Sequence, residues 1–470
     1  MLRGTREQLH ARIAETLEAH SPELMETQPE LFAQHYAEAG LVEKSVVYWG
    51  KAGRRSAARS VLAEAAAQLQ KGLDQLALLP DTAEHQRQEL GLRSSQGAVF
   101  VAIKGAGAPE TGRAYARAHE LWEQLGYPSG FLHIPYGQSA YHINRGEFAL
   151  AQRLAEGLLR VSHRRNDTAG LVLGHYTAGR NLMFIGKFAS SQSHLEKALA
   201  LYDARPHRPL VLEAAFPPNV SSHGVLGFVL FCLGYPDRAL VQSTAAIAGA
   251  RKPAHPPSLA AGLAFDARRL SFLGDHAAVS ERADELVAVT TEHGFPFWRA
   301  EGTVFRGWVK VKDGEVTEGI LLLRAGSTAL RATGMEAWTP HPFALLAEAY
   351  EIAGEFEESL AWLDRALRVI ETTGISWLAA ELNRRKGQLL LRQGNNDAAE
   401  ELYGKALCIA REQEAKMWDL RAAMSIARLR RDRGRRADAR DLLAPVYGWF
   451  TEGFDTKDLK DAKALLDDLS

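Results

Sequence analysis

The chain has 470 residues, 56 Lys and Arg against 57 Asp and Glu, and a formal net charge of -1. Hydrophobic (46%) and charged (24%) fractions near the globular average exclude a mostly disordered polymer, and the balanced charge removes any chain-wide attraction to nucleic acid or anionic lipid. Two cysteines, Cys232 and Cys408, are too few for a disulfide framework or a thiolate zinc site and suit a reducing compartment, which points to the cytoplasm.

In chain order, the amino-terminal stretch intersperses Arg3, Arg6 and Arg12 with Glu7, Glu15 and Glu18 and has no apolar run of signal-peptide length, so it predicts an amphipathic helix. A first hairpin is predicted in FAQHYAEAGLVEKSVVYWGKAG, where Ala33, Tyr36, Gly40, Ser45, Trp49 and Ala52 hold positions that return later. A second match follows closely, with Ala65, Leu69 and Gly72. Residues 1–85 are therefore expected to be irregular helical repeats in which one helix serves two neighbours, and residues 86–470 a regular array.

Within that array a ladder is plain: glycines 146, 186, 234, 274, 314, 354, 394 and 434 recur every 40 residues, with one step of 48. Each opens a polar, helix-starting run such as GEFALAQ, GDHAAVS or GNNDAAE. Self-similarity at such a period is the mark of a solenoid. Small residues stand seven positions ahead, at Gly179, Gly227, Ala267, Gly307, Ala347, Gly387 and Ala427, where one helix must let another approach closely. Gly294, Gly334 and Gly374 are expected caps ending the second helices, and Trp298, Trp338, Trp377 and Trp418 recur just ahead of the first helices. The long step places an insertion at 203–222 whose four prolines exclude a continuous helix, and a second proline-rich connection, RKPAHPPS, follows at 251–258. The most apolar stretch, Gly224 to Gly234, is far shorter than the roughly 20 residues that cross a bilayer.

This code resembles the tetratricopeptide pattern, with a period of 40 rather than 34 and without the usual Trp early in the first helix. The fold expected is all-α, a right-handed α-solenoid of tetratricopeptide-like helical hairpins. Longer strings carry a narrower likeness. LFAQHYAEAGLVEKSVVYWGKAGRRSAARS, FWRAEGTVFRGW, SWLAAELNRRKGQLLL and DLLAPVYGWFTEGFDTKDLKDAKALLDDL resemble the carboxyl-terminal repeat region of bacterial class III adenylate or guanylate cyclases that also carry an AAA-like signal-transduction ATPase domain. That resemblance implies a regulatory or sensor module, partnered by protein and by a cyclase/ATPase signalling protein in particular. The chain is expected to be a truncated, split or independently encoded half.

The chemical motifs of an enzyme are missing. NLMFIGKF at 181–188 has Asn where a phosphate loop needs its first Gly and Phe after the Lys, and His119-Glu120 lacks the second histidine of a zinc hydrolase. No cofactor or metal is expected, and the chain is read as non-catalytic. The rival reading is a nucleotide cyclase that acts only in a complex supplying the missing domains. Cys232 is read as core material, and the basic run Arg428 to Arg436 as a solvated helix end rather than a nucleic-acid contact.

The sharper candidate comes from projecting the repeat. In tetratricopeptide folds the first helices line a concave face, and the position six before each ladder glycine points into it. These are Ala140, Arg180, Phe228, Arg268, Trp308, Glu348, Gln388 and Arg428, with Tyr136 and Tyr176 one turn earlier. Tyr136, Tyr176, Arg180, Phe228, Arg268, Trp308 and Glu348 are the expected partner groove, suited to an anionic peptide or small ligand through paired hydrogen bonds and stacking. The plainer alternative, aromatics that fill a tight superhelix, stands beside it.

Overall fold

The structure, a computed structural model, describes residues 3–59, 61–203, 218–251 and 256–470. Most of the expected insertion at 203–222 and the centre of the 251–258 connection lie outside the described residues. Within them the chain forms 24 α-helices, one 3-10 turn and no strand, an all-α array of tetratricopeptide-like hairpins. It divides into two compact units, one over Met1–Tyr141 and one from His142 to Ser470; the boundary expected at 85/86 falls inside the first.

The first unit runs α1 (Arg3–His20), α2 (Pro22–Thr27), α3 (Pro29–Glu38), α4 (Val42–Ala58), α5 (Leu62–Leu76), α6 (Ala83–Lys104), α7 (Pro109–Gln124) and most of α8 (His133–Asn144). Two faces of α4 are apolar, and each is covered. Tyr48, Trp49 and Ala52 pack with Phe32, Ala33 and Tyr36 of α3, the Phe32 and Tyr48 rings 5.1 Å apart, while Val46 joins Ala65, Leu69 and Leu73 of α5. Each large side chain so buried contributes about 1.5 to 3 kcal/mol.

The second unit continues α9 (Phe148–Arg165), α10 (Thr168–Phe184), α11 (Phe188–Leu201), α12 (Pro218–Leu233), α13 (Pro236–Arg251), α14 (Pro256–Leu273), α15 (His276–His293), α16 (Pro296–Lys312) and α17 (Val316–Ala332). It closes with α18 (Pro340–Ile352), α19 (Phe356–Thr373), α20 (Ala379–Arg392), α21 (Asn396–Glu412), α22 (Lys416–Asp432), α23 (Arg436–Tyr447) and α24 (Lys457–Asp468). All eight ladder glycines have φ between 71° and 93°, a left-handed backbone that a Cβ resists. At every step the N–H after the glycine bonds back to the carbonyl five residues earlier, from Glu147 to His142 (2.8 Å) through Arg435 to Arg430 (2.8 Å). That bond satisfies a carbonyl left over at the helix end and turns the chain into the next helix. Gly294, Gly334 and Gly374 also have positive φ, as expected of caps.

The small residues seven ahead of the ladder glycines are where paired helices touch. A Cβ on Gly307 would lie 2.7 Å from the Leu323 backbone nitrogen and 2.9 Å from the Gly319 carbonyl oxygen. The same position accepts a recurrent bond: Ser45 Oγ donates to Ala33 O (2.9 Å), Ser191 Oγ to Gly179 O (2.7 Å) and Ser359 Oγ to Ala347 O (2.6 Å). The first of these sits in the first unit, so the code operates there too. Cys232 is buried in α12, where burial pushes its thiol well above the ordinary range, as befits core material. No helix among the described residues is long and apolar enough to cross a membrane.

Candidate functional site

The inner face of the second unit is built by contact between hairpins far apart in sequence. The Asn144 carbonyl, at the end of α8, accepts from the N–H groups of Glu336 (2.7 Å) and Ala337 (3.2 Å). One repeat on, the Phe184 carbonyl accepts from Ser376 (2.9 Å) and Trp377 (3.3 Å). Later inter-hairpin segments thus bond to the ends of early first helices, and the tryptophans in those segments turn inward.

An aromatic core results. Phe184 lies 4.7 Å from Trp338, Trp338 5.3 Å from Trp377, Phe228 5.2 Å from Trp377, and Phe272 5.3 Å from Trp418, mostly edge to face. The expected groove residues are set into this core. Phe228 and Trp308 are buried, 1% and 2% exposed, as is Tyr176. Tyr136 is buried within the first unit.

Charges inside are matched by carboxylates. Arg268 is 2% exposed, its Nη2 is bonded to the buried Glu301 carboxylate, and its guanidinium lies 3.7 Å from the Trp338 ring centre. Burial pushes Glu301 up and Arg268 down, opposing their mutual attraction. Glu348 accepts from Trp308 Nε1 (3.3 Å), Arg385 Nη1 (3.1 Å) and Lys312 Nζ. Burial would raise its carboxyl, yet Arg385 and Lys312 hold it below the usual range. Glu381 is more extreme: against full burial, Arg384, Arg421 and Arg385 hold it far below ordinary glutamates. Arg421 completes the network on Asp458 (2.7 Å) and on the Phe272 carbonyl (2.5 Å).

Arg180 is different. It is half-buried, its Nη2 donates to the Asn144 side-chain oxygen (2.8 Å), and its guanidinium lies over Phe184 at 5.7 Å. Its Nε, shielded from solvent, has no hydrogen-bond partner among the described residues. Arg180 thus lies against Phe184 and Arg268 against Trp338, Arg180 without a carboxylate among the described residues and Arg268 with one. The basic run at 428–436 is largely paired, Arg431 with Asp468 (2.9 Å), Arg435 with Glu400 (3.4 Å) and Arg433 with Glu400.

Sequence reasoning missed Glu301, Glu381, Arg385, Arg421 and Asp458. A signal existed: Glu301, His341, Glu381 and Arg421 stand thirteen residues ahead of successive ladder glycines, two turns before Trp308, Glu348, Gln388 and Arg428 on the same helix face. Charge at a repeated inner position is the trace of a buried network.

No protein-family model matches the chain. A Rhizobium meliloti (strain 1021) protein, R02095, itself uncharacterized, is 23% identical over 436 residues, 91% of this chain; the chain spans 42% of that relative's length. Among solved structures, a Rap protein complexed with Competence and Sporulation Factor superposes with a TM-score of 0.57 at 12% identity, over 79% of this chain and 98% of that one. Yeast Tom70 aligns over 98% of this chain and 96% of its own at 10% identity, with a TM-score of 0.38. The likeness to the Rap protein is one of fold: both are stacks of helical hairpins.

Proposed function

We propose that the chain is a non-catalytic, partner-binding regulatory module, and that an acidic group of the partner docks at Arg180 on the inner face of the second unit. The observation that carries this is Arg180 itself: a half-buried side chain beside an aromatic wall, held by an amide rather than a carboxylate among the described residues, with its Nε–H unused. A carboxylate placed there gains charge-assisted bonds that the protein does not already supply. In this proposal Tyr176, Phe228, Trp308 and Glu348 belong to the supporting wall, and Arg268, bound by Glu301, holds Trp338 in place. Tyr136, in the other unit, is left out of it.

That the Rap protein of like fold was solved with a bound factor supports hairpin stacks as receptors for partners. A place in bacterial signalling, as the regulatory part of a cyclase and ATPase protein, is supported by the strings quoted above. Calorimetric titration with peptides rich in Asp and Glu tests the docking. A loss of about tenfold or more for Arg180→Ala, with Arg436→Ala unchanged, supports it; equal affinity for wild type and Arg180→Ala overturns it. Cyclic nucleotide formed from ATP or GTP, and retained through further purification, would favour the enzymatic rival instead.

A further inference from the structure

On the other side of the hairpins, α17 and α19 enclose a groove of about 490 Å³, within the range of small-molecule sites. Arg324 and Arg331 stand two turns apart on α17, Arg365 and Arg368 one turn apart on α19, with Trp362 at the base. All four arginines are exposed, and none has a carboxylate within ion-pairing distance among the described residues. Elsewhere in this unit several exposed arginines reach acids, as Arg251 does with Glu285 (2.8 Å) and Arg392 with Glu351 (3.0 Å). Four like charges around one groove repel one another unless an anion sits between them.

The charged part of the lining is all donor, and the two bonded hydroxyls beside it offer a ligand only lone pairs. Arg324 Nη1 donates to Tyr350 Oη (3.2 Å), Arg365 lies over the Trp362 ring at 4.4 Å, and Trp362 Nε1 is shielded from solvent without an acceptor among the described residues. The Ser327 and Thr372 hydroxyls spend their protons on the Leu323 and Arg368 carbonyls (2.7 and 2.8 Å). Helix carbonyls are committed to the helices, so a peptide backbone entering the groove would find few acceptors for its N–H groups. A ligand whose reachable atoms are all acceptors, spread over more than one charged group, meets no such penalty, and guanidinium forks match phosphoryl oxygens two at a time.

We propose that this groove binds a multiply charged phosphoryl ligand, an oligophosphate or the phosphate chain of a phosphate ester, independently of the inner face. Isothermal titration of the full chain with inorganic tripolyphosphate, ATP and hexa-aspartate tests it. Arg331 and Arg368 suit the substitution because their side chains are exposed and hold no side-chain partner, so Arg331→Ala/Arg368→Ala should fold, which circular dichroism verifies. The expected result is saturable tripolyphosphate binding that weakens with added salt and falls about tenfold per arginine removed. ATP binding equal to tripolyphosphate assigns recognition to the phosphates alone; tighter ATP binding assigns an ester. No binding, unchanged affinity in the double variant, or, in a chain whose inner-face Arg180 is replaced (Arg180→Ala), tighter binding of hexa-aspartate than of tripolyphosphate would overturn the proposal.

Discussion

The inner face and the outer groove of the second unit treat arginine in opposite ways. Inside, Arg268, Arg384, Arg385 and Arg421 each reach a carboxylate, and the aromatic core closes around them. Outside, Arg324, Arg331, Arg365 and Arg368 crowd one groove with no acid among the described residues. A buried charge without its partner costs several kcal/mol, so the inner arginines belong to the architecture. An exposed charge without a partner costs little and remains available. Arg180 is the informative intermediate: on the inner face by position, yet bonded to an amide.

The comparison breaks most sharply at Glu381. Glu381→Gln removes the carboxylate that three arginines share and should destabilise the second unit by about 3 kcal/mol or more in urea unfolding. The pH dependence follows in sign. Folding lowers the proton affinity of Glu381, so its contribution is complete above the range where an unfolded glutamate titrates, near 4.3. It is lost as pH falls from there toward the lower folded-state value. Melting curves between neutral and acid pH should therefore fall less steeply for Glu381→Gln than for wild type, whose stability should converge on the variant's at low pH.

Helix contact comes next. Gly307→Ala drives a Cβ against the α17 backbone and should cost about 1 to 3 kcal/mol. Gly354→Ala meets open space but a φ of 80°, and should cost about 1 to 2 kcal/mol from backbone strain alone. The smallest effect lies in the outer groove. Arg331→Ala should leave stability unchanged or raise it by about 0.2 to 0.5 kcal/mol at low ionic strength, a gain that vanishes in high salt.

The hairpins were legible in the sequence because a positive φ at each turn nearly demands glycine and close helix contact demands Gly or Ala, so both print at fixed intervals. The inner face was legible only in part. Arg268, Phe228 and Trp308 follow from the helical period, and all three are buried. Their surroundings depend on where one repeat meets another several hairpins later, as Asn144 meets Ala337. That is set by the small rotation accumulated per repeat, which no local pattern records. Trp338, Trp377 and Trp418 were visible as a recurrence, yet their place in the core depends on that rotation. The outer groove escaped notice because Arg324 and Arg331 on one helix look like any solvated face until Arg365 and Arg368 are brought beside them.

The division between matched and spare arginines is tested most directly by urea unfolding of Arg268→Ala and Arg180→Ala side by side. Arg268→Ala strands the buried Glu301 and should lose about 3 to 5 kcal/mol, whereas Arg180→Ala gives up one bond to Asn144 and should lose about 1 kcal/mol. Comparable losses for the two variants, or a neutral Arg268→Ala, would contradict the account.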